Sequence, residues 1–179
     1  MKPPKGSLKL YTTRVNPNRL LDAMTDEGKH LLGLGLNVVL ALDNDLPEAD
    51  FPAARLVQPR ELSIGNSRCL EMDYEGIRQR SPDVVIVDNI LHVNFPASGI
   101  EMRYHNVKDL LDSGISVISS AYATYSDILK NALDYLCGNF SVSLEHWAAL
   151  PPDEIVTFVV TPKESFHHAE LFSSEGRTH

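Results

Sequence analysis

The sequence predicts a three-layer α/β fold with a mostly parallel sheet, and three observations support that prediction. The run at 83–87 reads DVVIV, which after its first residue is apolar and β-branched without alternation. Such a run is typical of a strand that is covered on both faces. Short apolar segments alternate with segments of helical spacing along the chain, as in successive βαβ units. Asp88 ends the central run, and ligand sites of open parallel sheets lie at that end of the strands.

The first strand–helix–strand unit is predicted from residues that begin and end a helix. Residues 7–12 alternate in the manner of a strand and are followed by a turn. Asn16 is a residue type favoured at the N-cap, and Pro17 suits the first helical position. Leucines and a methionine follow at helical spacing up to Gly33 or Gly35, where we expect the helix to end.

The other elements are predicted in chain order from the same signals. We expect the strand before Asp88 to be central and to have the strands at 7–12 and 115–120 as neighbours. The acidic, proline-containing segment 43–52 is predicted to be a surface loop with solvated charges. The remaining predicted strands are 36–42, one within 55–64, 115–120 and 155–160, and the remaining predicted helices are 73–80, 106–113 and one from Ser126 or Asp127 to Gly138.

Length and composition indicate one globular domain with an acidic surface. The chain has 179 residues, 43% of them hydrophobic and 22% charged, which suits a single domain with a sizeable core. We assign that domain to residues 1–165 and a polar C-terminal tail to 166–179. The 16 Lys and Arg residues against 24 Asp and Glu residues give a formal charge of −8. This balance argues against nucleic-acid partners.

The sequence also predicts the cellular compartment of the protein. Its apolar runs are far shorter than the roughly 20 residues that span a bilayer, and its N-terminus lacks the apolar region of a signal peptide. Cys69 and Cys137 do not have CxxC spacing, so a reducing compartment is the simplest interpretation. We therefore expect a cytoplasmic protein without direct membrane insertion.

The segment after the central strand resembles a known family. Residues 87–120 read VDNILHVNFPASGIEMRYHNVKDLLDSGISVISS. This segment is similar to the N-terminal cytoplasmic sensor domain of KdpD, the histidine kinase of bacterial potassium-responsive two-component systems. The most specific part of the likeness is the loop with His92, Asn94, Pro96 and Ser98. The resemblance covers roughly residues 8–165. It implies a P-loop-NTPase-like fold and a role in potassium or osmotic sensing, with a two-component sensor kinase or a second copy of the chain as partner.

The resemblance also places a phosphate-binding loop, GxxxxGK[ST], between the first strand and the first helix. In such a loop, glycine backbone N–H groups approach the phosphates, the Lys neutralises them and the Ser or Thr holds magnesium. This chain has Thr13 at the first Gly, Pro17 and Arg19 at the inner glycines, and Leu20 and Leu21 at the Lys and Thr. The motif is therefore degenerate, because neither the charge nor the metal ligand is present.

The missing groups predict the loss of nucleotide hydrolysis. Each hydrogen bond to a charged group contributes roughly 1.5–3 kcal/mol, and about 1.4 kcal/mol is a tenfold change in affinity. Beside Asp88, the family's Glu is replaced by Asn89, an amide that cannot act as a base. The chain also lacks a histidine-kinase catalytic region. We therefore assign no catalytic residue and expect that the chain is not an enzyme.

Two sets of candidate site residues remain. The first is a degenerate nucleotide or anion site at the start of the first helix, where weak binding of ATP and magnesium stays open; its members are Thr13, Arg14, Asn16, Arg19 and Asp88. We expect side chains from Arg14, Arg19 or Leu20 to narrow the pocket beside Asp88. The second is the loop with His92, which we interpret as a hydrogen-bonded organiser. We assign no metal or other cofactor, since Asp88, His92 and His105 lack the spacing of a metal site.

Two other functions remain open at this point. One is a nucleotide-binding protein with a remodelled loop, in which Asp88 is kept as a Walker B-like residue. The other is a degenerate domain with a purely structural role as an oligomeric partner. The leading hypothesis is a sensor or regulatory domain that has lost hydrolysis and works by binding.

Overall fold

A computed structural model describes residues 5–14, 17–44, 50–122, 126–137 and 154–160. The strands are β1 (Leu8–Thr13), β2 (Val38–Ala41), β3 (Leu56–Val57), β4 (Arg60–Ile64), β5 (Ser67–Glu71), β6 (Val84–Val87), β7 (Ser116–Tyr122) and β8 (Val156–Val160). The helices are α1 (Asn18–Gly33), α2 (Tyr74–Arg80), α3 (Arg103–Asp112) and α4 (Ser126–Cys137).

The main sheet has six strands in the order β3-β2-β6-β7-β1-β8. All neighbouring strands pair in parallel except β8, which runs antiparallel to β1. One face of the sheet forms a core with α2, α3 and α4, and the other face packs against α1. The predicted three-layer, mostly parallel α/β fold is therefore confirmed.

Strand β6 is central and buried, as the β-branched run predicts. Each residue from Val84 to Val87 is at most 1% exposed. Val85 and Val87 contribute to the core under α2, α3 and α4, whereas Val84 and Ile86 face α1. Because both faces of the strand are covered, alternation is absent from its sequence.

The predicted strand neighbours are partly wrong. Strand β7 is adjacent to β6 as expected, but the second neighbour of β6 is β2, and β1 lies on the far side of β7. Burial of both faces is common to all these strands, so hydrophobic pattern alone does not determine their order. The short strand predicted within 55–64 is confirmed, but the region holds two short strands, β3 and the first strand of a β4–β5 hairpin. Gly65 turns that hairpin with a φ of +60°.

Several predicted boundaries shift by a few residues, and some lie outside the described segments. Pro17 already has helical dihedrals (φ −64°, ψ −23°) before α1, whereas Asn16, its predicted N-cap, is not among the described residues. Helix α3 begins at Arg103, three residues earlier than predicted. The predicted helix stop at Gly138 and the proposed tail at 166–179 also lie outside the described residues.

Candidate functional site

A cleft of about 840 Å³ opens at the carboxyl edge of the sheet. It is surrounded by the first turns of α1, the residues that follow β2 and β6, and the end of β7. Leu20 and Leu21, which the sequence resemblance aligns with the family's Lys and Thr, both line it, as does Asp88. Of the three residues expected to narrow this pocket, Leu20 lines it, whereas Arg14 and Arg19 do not.

Asp88 is held at the end of β6 by the end of β7. Its Oδ1 accepts a hydrogen bond of 2.7 Å from the Ser120 hydroxyl, and that hydroxyl accepts one of 2.8 Å from the backbone N–H of Asn89. The N–H of Ile90 donates to the Ser120 carbonyl at 2.8 Å. Asn89 has a φ of +43°, a left-handed conformation that Asn tolerates better than most residues. The turn after β6 is therefore sharp and well defined.

A buried arginine connects two strand ends behind the cleft. Arg103, at the start of α3, is 1% exposed. Its Nη1 donates to Asp43 Oδ2 at 2.9 Å and to the Asp88 carbonyl at 2.6 Å. Its Nε and Nη2 are buried without a hydrogen-bond partner in the described part of the chain. Asp43 is thus ion-paired, contrary to the prediction of a solvated charge at this position, and the pair joins the ends of β2 and β6.

His92 lies on the wall of the cleft with an unsatisfied nitrogen. Its Nε2 is buried and makes no hydrogen bond within the described residues. Burial, followed by the nearby charge of Arg103, lowers the pKa of His92 below its usual 6.5. The predicted side-chain organiser bond is therefore absent at Nε2. The main chain of His92 orders the loop instead, because its carbonyl accepts from the Arg103 N–H at 2.9 Å.

The rest of the His92 loop is organised by buried polar contacts. Asn94 is 8% exposed, and its amide donates to Asn106 Oδ1 at 2.9 Å. Glu71 accepts the N–H of Phe95 at 3.1 Å. Pro96 begins a 3₁₀ turn, and the Ser98 hydroxyl donates to the Ile100 carbonyl at 2.9 Å. Of the four predicted loop residues, only His92 lines the cleft; the other three shape the loop that carries it.

The residues predicted for anion binding do not converge on the cleft. Thr13 is buried at the end of β1, and Arg14 and Arg19 are exposed. None of these three is part of the cleft lining. The Arg14 carbonyl accepts a hydrogen bond of 2.9 Å from Tyr122 Oη, which ties the end of β1 to the end of β7. Of that predicted set, Asp88 is the described member that lies in the cleft.

The three residues considered for a metal site do not form one. In the described segments, no group of three His, Cys, Asp or Glu side chains is arranged to hold a metal ion. His105 instead contacts the rings of Tyr104 and Tyr135, with centroids 4.6 and 4.8 Å away.

A mostly parallel sheet with helices on both faces and a cleft at its carboxyl edge defines a three-layer, P-loop-like α/β domain. Residues 5–138 match the family described as KdpD, the osmosensitive K+ channel His kinase sensor domain. The chain belongs to this family, and the resemblance seen in the sequence is confirmed. The family supports a role in two-component sensing.

Relatives with assigned names agree with the family. The chain is 28% identical over 156 residues to Sensor protein KdpD of Mycobacterium tuberculosis. The matched segment covers 85% of this chain and 17% of that protein. It is 34% identical over 119 residues to a putative sensor protein KdpD of Synechocystis, covering 64% of this chain and 32% of the relative. Sensor protein KdpD of Escherichia coli K12 is 24% identical over 140 residues, covering 76% and 16%. The chain thus spans about a third or less of the length of these three relatives.

Within the described segments, none of the helices has the length and apolar character needed to cross a bilayer.

Sequence reasoning did not find the partners of Asp88 and His92. Asp43 and Arg103 lie 60 positions apart, so local pattern does not connect them. One signal was available, because Asp43 directly follows a buried strand, as Asp88 does, and parallel strands end at the same edge. Asp22 of α1 also lines the cleft. Its position fits the exposed face of a helix, so nothing in the sequence marks it as a site residue.

Proposed function

We propose that this chain is a sensor or regulatory domain of potassium or osmotic two-component signalling that works by binding and does not hydrolyse nucleotide. The observation that carries the proposal is the composition of the cleft. Its described lining keeps Asp88 but holds no Lys or Arg. A nucleotide site needs cations or free N–H groups at the phosphates.

The start of α1 supports the same conclusion. Pro17 lacks the N–H that a phosphate would accept from a helix N-terminus. Leu20 and Leu21, which the sequence resemblance aligns with the family's Lys and Thr, line the cleft with apolar side chains. Without these groups, binding of a triphosphate loses several hydrogen bonds to charged oxygens, each worth roughly 1.5–3 kcal/mol.

In this proposal the domain passes its signal to a partner protein, and the family suggests the kind of partner. We propose a two-component sensor kinase, or a second copy of this chain, as the partner, and a cytoplasmic location. A change at the cleft reaches α3 through Arg103, which bonds the Asp88 carbonyl and Asp43. That connection is a physical route from an occupied site to the helical layer.

The second candidate is a nucleotide-binding protein with a remodelled loop. It is favoured by one observation, the position of Asp88 in the cleft beside the first turn of α1. Arg14 and Arg19 would have to turn toward the cleft in that case, because neither lines it.

Phosphate release from ATP in the presence of magnesium tests the proposed function. We expect no release above a buffer blank, because the chain lacks the P-loop Lys, its Thr and the Glu beside Asp88. The matched variant is Asp88→Asn, which changes charge but little shape and can still accept the bond from Ser120. Turnover by the natural chain that disappears in Asp88→Asn would refute the proposal and favour the second candidate.

A further inference from the structure

The His92 loop, residues 89–102, is held on the fold mainly by polar bonds. After Ile90, the only buried residue of the loop is Asn94, whose amide donates to Asn106 Oδ1 at 2.9 Å. None of the apolar side chains of the loop after Ile90 is fully buried. Segments with few buried apolar contacts open locally at a lower free energy than the whole fold. The loop is therefore a segment that can open on its own.

The loop turns at two residues that have positive φ angles. Asn89, directly after Asp88, has a φ of +43°, and Gly99 has a φ of +75°. Glycine adopts such angles freely, whereas a residue with a side chain is strained there. Strained backbone of this kind is frequent in segments that switch between two conformations. The segment that carries His92 thus lies between two turning points, and the first of them is strained.

His92 and Arg103 form a junction under the loop in which several buried polar atoms are unsatisfied. The His92 carbonyl accepts a hydrogen bond of 2.9 Å from the Arg103 N–H, and the Arg103 side chain is 1% exposed. Among the described residues, five buried side-chain polar atoms lack a partner, and three of them are His92 Nε2, Arg103 Nε and Arg103 Nη2. Each unsatisfied buried group raises the free energy of the closed loop. Opening the junction to water removes this cost.

Charges of both signs face the His92 ring. Arg103 at the start of α3 is positive, whereas Asp43 after β2 and Glu71 of β5 are negative. The other acidic residues that line the same cleft are Asp22 and Asp88. Burial has the largest effect and Arg103 the next, and together they outweigh Asp43 and Glu71, so the pKa of His92 lies below its usual 6.5. The ring therefore takes up a proton less readily in the closed loop than in water.

We propose that the His92 loop is a proton-sensitive latch, which is closed over Arg103 when His92 is neutral and opens when His92 is protonated. A proton on the ring places a second positive charge beside the buried guanidinium and adds an N–H that needs an acceptor. Opening breaks the bond between the His92 carbonyl and the first residue of α3. The inference goes beyond the proposed function, because it adds a signal that does not depend on what occupies the cleft.

Native-state hydrogen exchange of the full chain, followed by NMR and corrected for intrinsic rates, tests the latch. The amides of Asn94, Phe95 and Arg103 report loop opening, and those of Val85 and Ile86 in β6 report unfolding of the whole domain. We expect the loop amides to have an opening constant at least about tenfold larger than that of the β6 amides at pH 7.5. The closed loop is favoured above the pKa of the exposed ring and loses stability as the pH falls below it. The opening constant should thus rise about twofold to fivefold between pH 7.5 and pH 5.8.

Substitution of single histidines identifies the group that titrates. His92→Gln and His92→Asn both keep a polar side chain without a titrating charge, and each should remove the pH dependence of loop opening. The matched control is His30→Gln on the exposed side of α1, which should keep it. A second control is His105→Gln, because His105 Nδ1 accepts the Met102 N–H at 3.4 Å and protonation would break that bond at the end of the loop.

Three outcomes overturn the inference. The first is exchange of the loop amides with the same opening constant as the β6 amides, which would mean that the loop does not open on its own. The second is an opening constant that does not change with pH. The third is a pH dependence that persists in both His92 variants or disappears in His105→Gln. None of these results bears on phosphate release, and ATP turnover would refute the proposed function without changing the pH dependence of the loop.

Discussion

Replacing Arg103 by Met is expected to lower the free energy of unfolding by about 3 kcal/mol, near the lower end of the range for breaking a buried ion pair. The variant keeps the length and apolar stem of the side chain but removes the guanidinium. Asp43 then loses its cation, and the Asp88 carbonyl loses a donor at 2.6 Å. Because Asp43 is 25% exposed, water reduces part of the cost.

Urea denaturation of the natural chain and of two arginine variants measures this effect. The control is Arg68→Met in the β4–β5 hairpin, where the arginine pairs with Glu61 and both side chains are exposed, 77% and 42%. Exposed pairs contribute about 0–1 kcal/mol, so this variant should be close to the natural chain. Equal stability losses for Arg103→Met and Arg68→Met would show that the Arg103 connection does not hold the strand ends.

Removing Glu27 is expected to have a similarly large effect on the packing of α1 against β1. Lys9 Nζ lies 2.8 Å from Glu27 Oε1, with side chains 5% and 8% exposed. The Tyr11 hydroxyl donates to the other carboxylate oxygen of Glu27. In Glu27→Leu, the buried Lys9 loses this counter-charge, and we expect a loss of about 3–5 kcal/mol in the free energy of unfolding.

The double variant Lys9→Met, Glu27→Leu is the control for that loss. It removes both charges and replaces them with apolar side chains of similar size, which is often close to neutral. We therefore expect the double variant to be more stable than Glu27→Leu alone. The loss of stability in the double variant is compared with the sum of the losses in Lys9→Met and Glu27→Leu measured separately. Equality would mean that the two residues do not interact, and that other contacts hold α1 in place.

The sequence predicted those parts of the fold and site that depend on local pattern. Strand β6 is recognisable because its four residues are buried on both faces and form a continuous apolar run, which is typical of such strands. Asp88 is placed correctly, since a residue that follows a central parallel strand reaches the carboxyl edge. The order of the strands is not predictable in this way, because β1, β2 and β7 have the same burial signal as β6.

Contacts between distant residues explain most of what the sequence did not predict. The acidic segment after β2 has the composition of a solvated loop, yet Asp43 pairs with a guanidinium that is 60 residues away. Open space in the cleft is also invisible in sequence, since Leu20 and Leu21 could equally have closed it. Their side chains line the cleft instead of filling it.

Calorimetric titration of the full chain with ATP in the presence of magnesium is the most direct test of the claim that the cleft no longer serves nucleotide. We predict no saturable heat up to about 1 mM ATP, because Asp22, Asp43 and Asp88 are among the described residues that line the cleft, and no Lys or Arg is. Sub-millimolar binding that is lost in an Arg14→Ala, Arg19→Ala double variant would contradict the account, because it would show that the phosphate site was rebuilt from these arginines.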